Sequence, residues 1–293
     1  MKGDNHMEIF KYNDYTTVIK SSFKEIKRID MSICKQPRQT LKSFYDECKE
    51  KPDILINGGF FSMADGSTCF NYVDEGKQIG STKAYQWGVG IIDEKTLKYG
   101  SLKSRTDWRD FISGYPVLID NYEKVKIDFA EEINYNARRS ILAYDPEYLY
   151  LIAVDKPGMN FAAMQTMLIG LKVQYAINLD GGGSTRVLHN GKCITNGLEN
   201  RAVDNVIALY LNKVQEIKKV IYRVQVGAYS KKENAQVMLN KLHALGGDYS
   251  KAYIRLINGL YKCQVGAFSI KNNAIKVQND LKSKGFSSFI TTL

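Results

Sequence analysis

The feature that most constrains how this chain folds is a segment that occurs twice. Val224 to Ala235 reads VQVGAYSKKENA and Cys263 to Ala274 reads CQVGAFSIKNNA, an offset of 39 residues. The correspondence continues, with Leu242 matching Leu281 and Gly246 matching Gly285. Self-similarity at this period means one supersecondary unit used twice. Each copy reads as a strand, a glycine-containing turn, a helix capped by Ser230 or Ser269, and a glycine stop. A second strand follows each helix, at Tyr249 to Leu256 and at Ser287 to Thr292. The expected product is a βαββαβ module whose two helices cover one face of a single sheet.

Charge divides the chain at the same place. Lys plus Arg number 41 and Asp plus Glu 31, yet residues 1 to 212 hold 27 of each, and residues 213 to 293 hold 14 basic and 4 acidic side chains. The whole positive excess therefore lies in the C-terminal part. We expect a first domain over 1–212, a linker over 213–219 and the repeat module over 220–293. A basic module favours a polyanionic partner. The RNA-recognition pattern K/R-G-F/Y-G/A-F-V-x-F/Y is absent, so no nucleic-acid partner is expected.

No stretch reaches the roughly 18 uncharged apolar residues of a membrane helix, which argues against membrane insertion. The start, MKGDNHMEIFKYNDY, shows no apolar run after its charges and so no visible signal peptide. The five cysteines are an odd number without C-x-x-C or Cys/His metal spacing, and there are three histidines. No cofactor is implied, a metal requirement stays open, and the chemistry is not expected to rest on histidine.

The first 212 residues alternate strands and helices. YTTVIK reads as an edge strand and Arg38 to Lys51 as a helix stopped by Pro52. In DILINGGFF a buried strand runs into a loop where Asn57, Gly58 and Gly59 permit close backbone approach, while Phe60 and Phe61 either wall a pocket or anchor the loop. From Tyr148, the strand YLYLIAV ends at Asp155, a helix capped by Asn160 shows Phe161, Met164, Leu168 and Leu171 on one face, and YAINL ends at Asp180. This βαβ pattern makes the two strands parallel and carries Asp155 and Asp180 to one edge of the sheet. Gly181, Gly182, Gly183 and Ser184 follow without the Lys of a phosphate loop, and the next run, RVLHNGKCIT, is a hairpin rather than a helix. Their amides form a potential anion nest beside Asp180, or Asp180 is simply an Asx-turn that holds the loop. Arg139 and Arg201 flank this unit as forked donors suited to a phosphate diester.

Two resemblances follow from these residues. The duplicated Y-x-[VC]-Q-V-G-A-[YF]-S pattern resembles the sporulation-related repeat, or SPOR domain, over Val220 to Leu293. That resemblance implies a ferredoxin-like module that binds peptidoglycan glycan strands, with Gln225, Tyr229, Gln264 and Phe268 as candidate contacts; Tyr229 and Phe268 serve equally well as core aromatics. INGGFF, ISGYPVLI, R-S-I-L-A at Arg139 to Ala143, NLDGGGST and NRAVDN, in this order, resemble the phosphodiester glycosidase family over about residues 50 to 212. The overall expectation is an α/β to α+β protein with a mixed-sheet catalytic domain and a small ferredoxin-like module. It would be a glycoside hydrolase that cleaves a sugar-1-phosphodiester through an oxocarbenium-like transition state, without a cofactor. Asp180 would be nucleophile or base, Asp155 its partner carboxylate, and Arg139 and Arg201 the phosphate ligands. Asn57, Gly58, Gly59, Phe60, Gly181, Gly182, Gly183, Ser184 and Asn205 would hold substrate. The expected place of action is the bacterial cell wall, reached from the cytoplasm on lysis or by an unrecognised export route. A non-catalytic wall-glycan binder, and a phage-type lysin that cuts peptidoglycan strands, are the alternatives.

Overall fold

Apolar residues in the first 212 positions come mostly in short β-branched runs, and the chain answers with strands. In the computed structural model, which describes residues 7–35, 37–80, 85–127, 133–196, 200–212 and 220–292, two compact units form, Met1–Lys213 and Val214–Leu293. The expected linker, 213–219, lies outside the described residues.

The first unit holds three sheets in which every neighbouring pair is antiparallel. The largest runs from edge to edge as Glu8–Asn13, Thr16–Ser22, Tyr148–Met159, Ala137–Tyr144, Tyr175–Asn178, Val117–Asp120 and Glu123–Lys124. A five-stranded sheet runs Lys192–Cys193, Val187–His189, Ile54–Asn57, Asn205–Leu211 and Ile26–Ile33. A second five-stranded sheet runs Lys77–Ile79, Tyr72–Asp74, Asp110–Ser113, Trp87–Ile91 and Leu97–Ser101. Side chains from all three, among them Ile19, Ile56, Val89, Ile112, Leu151 and Ile207, fill one shared core. Helix Phe161–Gly170 covers the opposite face of the large sheet, where Phe161, Met164 and Leu168 meet Ile141, Ile152 and Val154. Asn160 caps that helix as expected, its Oδ1 accepting from the Ala163 amide at 2.9 Å.

The mixed α and β character matches expectation, with two differences of detail. YTTVIK is not an edge strand: Thr16–Ser22 pairs on one side with Tyr148–Met159 and on the other with Glu8–Asn13. The latter strand is exposed along most of its length and so lacks the apolar pattern that marks a strand in sequence. The helix expected over 38–51 is shortened to Leu41–Glu47, because Thr40 takes the cap and accepts from Ser43 N. The two strands of the βαβ unit run parallel, as expected. Ala137–Tyr144 inserts between them, antiparallel to both.

The second unit is a four-stranded sheet ordered Tyr253–Ile257, Leu260–Phe268, Tyr222–Tyr229, Phe289–Thr292, with helices Lys232–His243 and Lys271–Ser283. The repeats pair through their own central strands, Gln225 opposite Gln264 and Val224 opposite Val265. The helices begin one residue later than expected: their caps are Lys231 and Ile270, with no side-chain capping bond, rather than Ser230 and Ser269. Ala235, Leu239, Leu242, Ala274 and Leu281 pack on Val224, Val226, Cys263 and Val265 as a separate core.

Candidate functional site

Strand Ile54–Asn57 delivers the loop Gly58–Phe60 to the end of strand Tyr175–Asn178, where the chain continues through Asp180 into the glycine triplet. Backbone bonds lock the two segments together, Asp180 N donating to Gly58 O at 3.0 Å. Asn57 is fully buried and braces the junction. Its Nδ2 donates to Asp180 O at 2.8 Å, and its Oδ1 accepts from Ser140 Oγ at 2.7 Å and from Arg186 N at 3.3 Å. Asn205, also buried, accepts from Gly59 N at 2.6 Å and donates to Asp204 Oδ2 at 3.0 Å. A Cβ on Gly58 would stand 2.0 Å from Asn205 Oδ1, so glycine is required there by close approach. Asn57 and Asn205 therefore shape the loop from inside.

Asp180 itself is half-buried, with Oδ1 accepting from Gly181 N at 2.9 Å. Burial raises its carboxyl above the usual aspartate range, opposed by the neighbouring Ser184 hydroxyl, the Gly181 amide and the positive charge of Arg201. Ser184 and Thr185 amides close a tight turn on Gly181 O and Gly182 O. Gly182, at φ +59°, is exposed, and Gly181 and Gly183 are half-buried, the amide of Gly181 being taken by Asp180 Oδ1. Phe60 is half-buried beside this loop, whereas Phe61 is buried in the core under helix Leu41–Glu47.

Asp155 and Arg139 take different parts from those expected. Asp155 is 2% exposed; its Oδ1 accepts from Arg138 Nη2 at 3.2 Å and its Oδ2 from Asn196 N at 2.8 Å. The same Arg138 Nη2 donates to Thr185 O at 2.5 Å, so the Asp155–Arg138 pair clamps the far end of the glycine turn. Arg139, the next residue on the strand, points to the other face. Its guanidinium donates to Ile133 O, Tyr135 O and Met159 O and lies 4.4 Å over the Phe161 ring. Burial lowers its pKa, an effect the nearby Tyr135 hydroxyl opposes. The structure thus brings together Asp180 and the loops at Gly58–Phe60 and Gly181–Ser184, with Arg201 near enough for its charge to act on Asp180, adds Arg138, and leaves Arg139 outside. Strand alternation was the signal available: of two adjacent arginines only one can face the glycine turn. Arg138 Nε, Asn178 Oδ1, Ser184 Oγ and Thr185 Oγ1 are buried around that turn without a hydrogen-bond partner.

In the second unit, the four expected contacts do not share one open surface. Gln225 and Gln264 are buried, 2% and 1% exposed, in a row between Tyr253 and Phe289. Tyr229 and Phe268 pack on the helix side against the apolar core. Register shifts after Gln225, where Gly227 takes φ +121°, break the alternation that would have placed Tyr229 beside Gln225. The aromatic rings fold back over Gly227 and Gly266, and a Cβ on either would meet them within 3 Å. The face opposite the helices instead carries Arg223, Tyr253, Arg255, Lys262 and Phe289. There Arg223 Nε donates to Tyr253 Oη at 3.0 Å, and Phe289 is 51% exposed.

The phosphodiester glycosidase profile matches residues 50–210, more than half of the chain, and the chain belongs to that family. The SPOR domain profile matches residues 218–292. N-acetylglucosamine-1-phosphodiester alpha-N-acetylglucosaminidase of Mus musculus is 29% identical over 164 residues, covering 47% of this chain and 32% of the mouse protein. The Homo sapiens protein of the same name is 28% identical over 164 residues, with the same coverage. The chain thus spans about a third of the length of the curated relatives it matches. Among solved structures, the zebrafish catalytic domain of that name superposes with a TM-score of 0.58 at 20% identity, covering 70% of this chain and 83% of that one. A hypothetical protein from Synechocystis superposes at 0.51 and 12% identity, over 70% and 61%. These two likenesses define the fold.

Proposed function

We propose that this protein hydrolyses a sugar-1-phosphodiester in a bacterial wall polymer of the teichoic-acid type and is held on its substrate by peptidoglycan binding through the SPOR domain. The observation that carries the reading is the setting of Asp180: a half-buried carboxylate on a glycine turn, faced by the charge of Arg201, in the segment that matches the family. Cleavage at the anomeric carbon expels a phosphate ester, which already leaves well. The protein must chiefly stabilise charge on the departing oxygens and support the oxocarbenium-like centre. Arg201 and the backbone at Gly182 and Gly183 meet the phosphate oxygens, and Asp180 supplies the nucleophile or the base for water. Asp155 does not act as the second carboxylate. Held by Arg138 and the Asn196 amide, it positions the turn.

For the SPOR domain, the face bearing Tyr253, Phe289, Arg255 and Lys262 offers rings for sugar faces and cations for wall phosphates. Incubating the protein with walls that carry or lack a phosphodiester-linked polymer, then identifying released products by mass spectrometry, tests the proposal. New reducing sugars or phosphomonoester ends from the first wall alone are expected. Binding without any released product would instead indicate a wall-glycan binder, and muropeptide fragments a peptidoglycan lysin.

A further inference from the structure

Aromatic side chains in the first unit form two groups of touching rings, the first beginning at the candidate site, and both line one cavity. Phe60, directly after the Gly58–Gly59 loop, meets Phe70 with ring centroids 5.3 Å apart. Phe70 lies 6.1 Å from Tyr115 and 5.9 Å from Tyr85, and those two tyrosines contact each other at 4.9 Å. Tyr115 is tied to the catalytic strand, its amide donating to Asn178 O at 2.9 Å, two residues before Asp180. Beyond it, Tyr85, Tyr115, Trp87 and Tyr99 line one cavity of about 270 Å3. Trp87 stacks on Tyr99 at 5.6 Å, and Tyr99 on Tyr175 at 4.9 Å. Tyr99 and Tyr175 also line a second cavity of about 550 Å3 with Lys95 and Lys98 at its wall.

Tyr85, Tyr99 and Tyr175 pack one side against the core, yet none of the rings from Phe60 to Trp87 is fully enclosed. Phe60, Phe70, Tyr85, Tyr99 and Tyr115 are each only partly buried, and Trp87, at the far end, is 46% exposed. The other tryptophan, Trp108, shows the ordinary alternative: it is 5% exposed, and its Nε1 donates to Leu102 O at 3.0 Å. Partly exposed rings, hydroxyl-bearing at Tyr85, Tyr99 and Tyr115, offer what a pyranose requires, a flat apolar surface for its C–H face and polar groups at its rim.

We propose that this aromatic row is an extended binding track for a glycan chain, running from the Asp180 site past Tyr115 to Trp87, so that the substrate is a polymer several sugars long rather than a single sugar capped by phosphate. The proposal rests on the reading of Asp180 as the reaction centre and specifies the substrate class of that same site.

Tryptophan emission tests it directly. The chain has two tryptophans, both in the first unit, so the SPOR domain contributes no signal of its own. With Trp108 buried, the quencher-accessible emission belongs to Trp87. The full-length protein is titrated with phosphodiester-linked glycan polymer extracted from bacterial walls and fractionated by length. Expected are a blue shift, protection from acrylamide, and an affinity that rises about two- to tenfold for each ring newly covered, until fragments reach Trp87. Trp87→Phe should abolish the spectral change. Trp87→Ala should weaken binding of the longer fragments about fivefold in the fluorescence-independent readout of sedimentation with labelled fragments. Emission that stays unchanged at saturating fragment, or an affinity independent of length, overturns the track even if short glycosyl phosphodiesters are cleaved. A length-dependent Trp87 response with no phosphodiester cleavage supports the track and removes Asp180 from its assigned role.

Discussion

Asp180 sits between opposing influences, burial that favours its neutral form and Arg201 with the Gly181 amide that favour the anion, and burial prevails. As nucleophile or base it must be ionised. Activity is therefore present above its raised pKa and lost as pH falls through it, and the acidic limb of the kcat profile should turn at a pH above the roughly 3.9 of a free aspartate. The same shift has a stability sign. A group with a raised folded pKa contributes stability below its unfolded value and loses that contribution as pH rises through the folded one. Asp180→Asn should therefore show a thermal midpoint at neutral pH no lower than that of the parent. The two arginines separate by substitution. Arg201→Ala should raise KM more for anionic than for neutral aglycones. Arg139→Lys should leave that ratio unchanged and instead lower the thermal midpoint, because an ammonium cannot reach three carbonyls from one planar fork. Equal losses on both aglycones for Arg201→Ala would contradict its contact with phosphate.

Turns decide which side chains reach the site, and turns are what sequence patterns describe least well. The helix cap at Asn160, the βαβ order and the βαββαβ module were all legible because each follows from local periodicity and the repeat offset. What periodicity did not show was the strand Ala137–Tyr144 inserted between the parallel pair, since register between distant segments leaves no local trace. The loop after Asn57 and the turn at Asp180 do meet in the fold, through the bond from Asp180 N to Gly58 O. Asn57 and Asn205 look like ligand groups in sequence but spend their amides on the loops, a use visible only once burial is known. In the repeat, alternation counted through Gly227 and Gly266 fails because their positive φ shifts the register. Gly227→Ala places a Cβ against the Tyr229 ring in a conformation L-residues avoid, so it should destabilise the second unit by about 1–3 kcal/mol in urea unfolding. A change below a few tenths would mean the bulge is not as described. Arg138→Ala should cost the first unit about 3–5 kcal/mol by leaving Asp155 buried without its counter-ion.

Each unit has its own apolar core, and nearly all of the charge excess belongs to the second. This separation suits a division of labour in which one unit holds the wall while the other cuts, the tether raising the local concentration of substrate. Truncation after residue 212 should leave kcat on a small soluble glycosyl phosphodiester within about twofold while sharply reducing sedimentation with walls. The lost binding should be the part that weakens with added salt. The most direct test of the whole account compares the intact protein with Asp180→Asn on a sugar-1-phosphodiester, following release of reducing sugar. The account predicts that the variant folds with an unchanged circular dichroism spectrum and loses about a hundredfold to ten-thousandfold in kcat. A folded variant with turnover near that of the parent would contradict it.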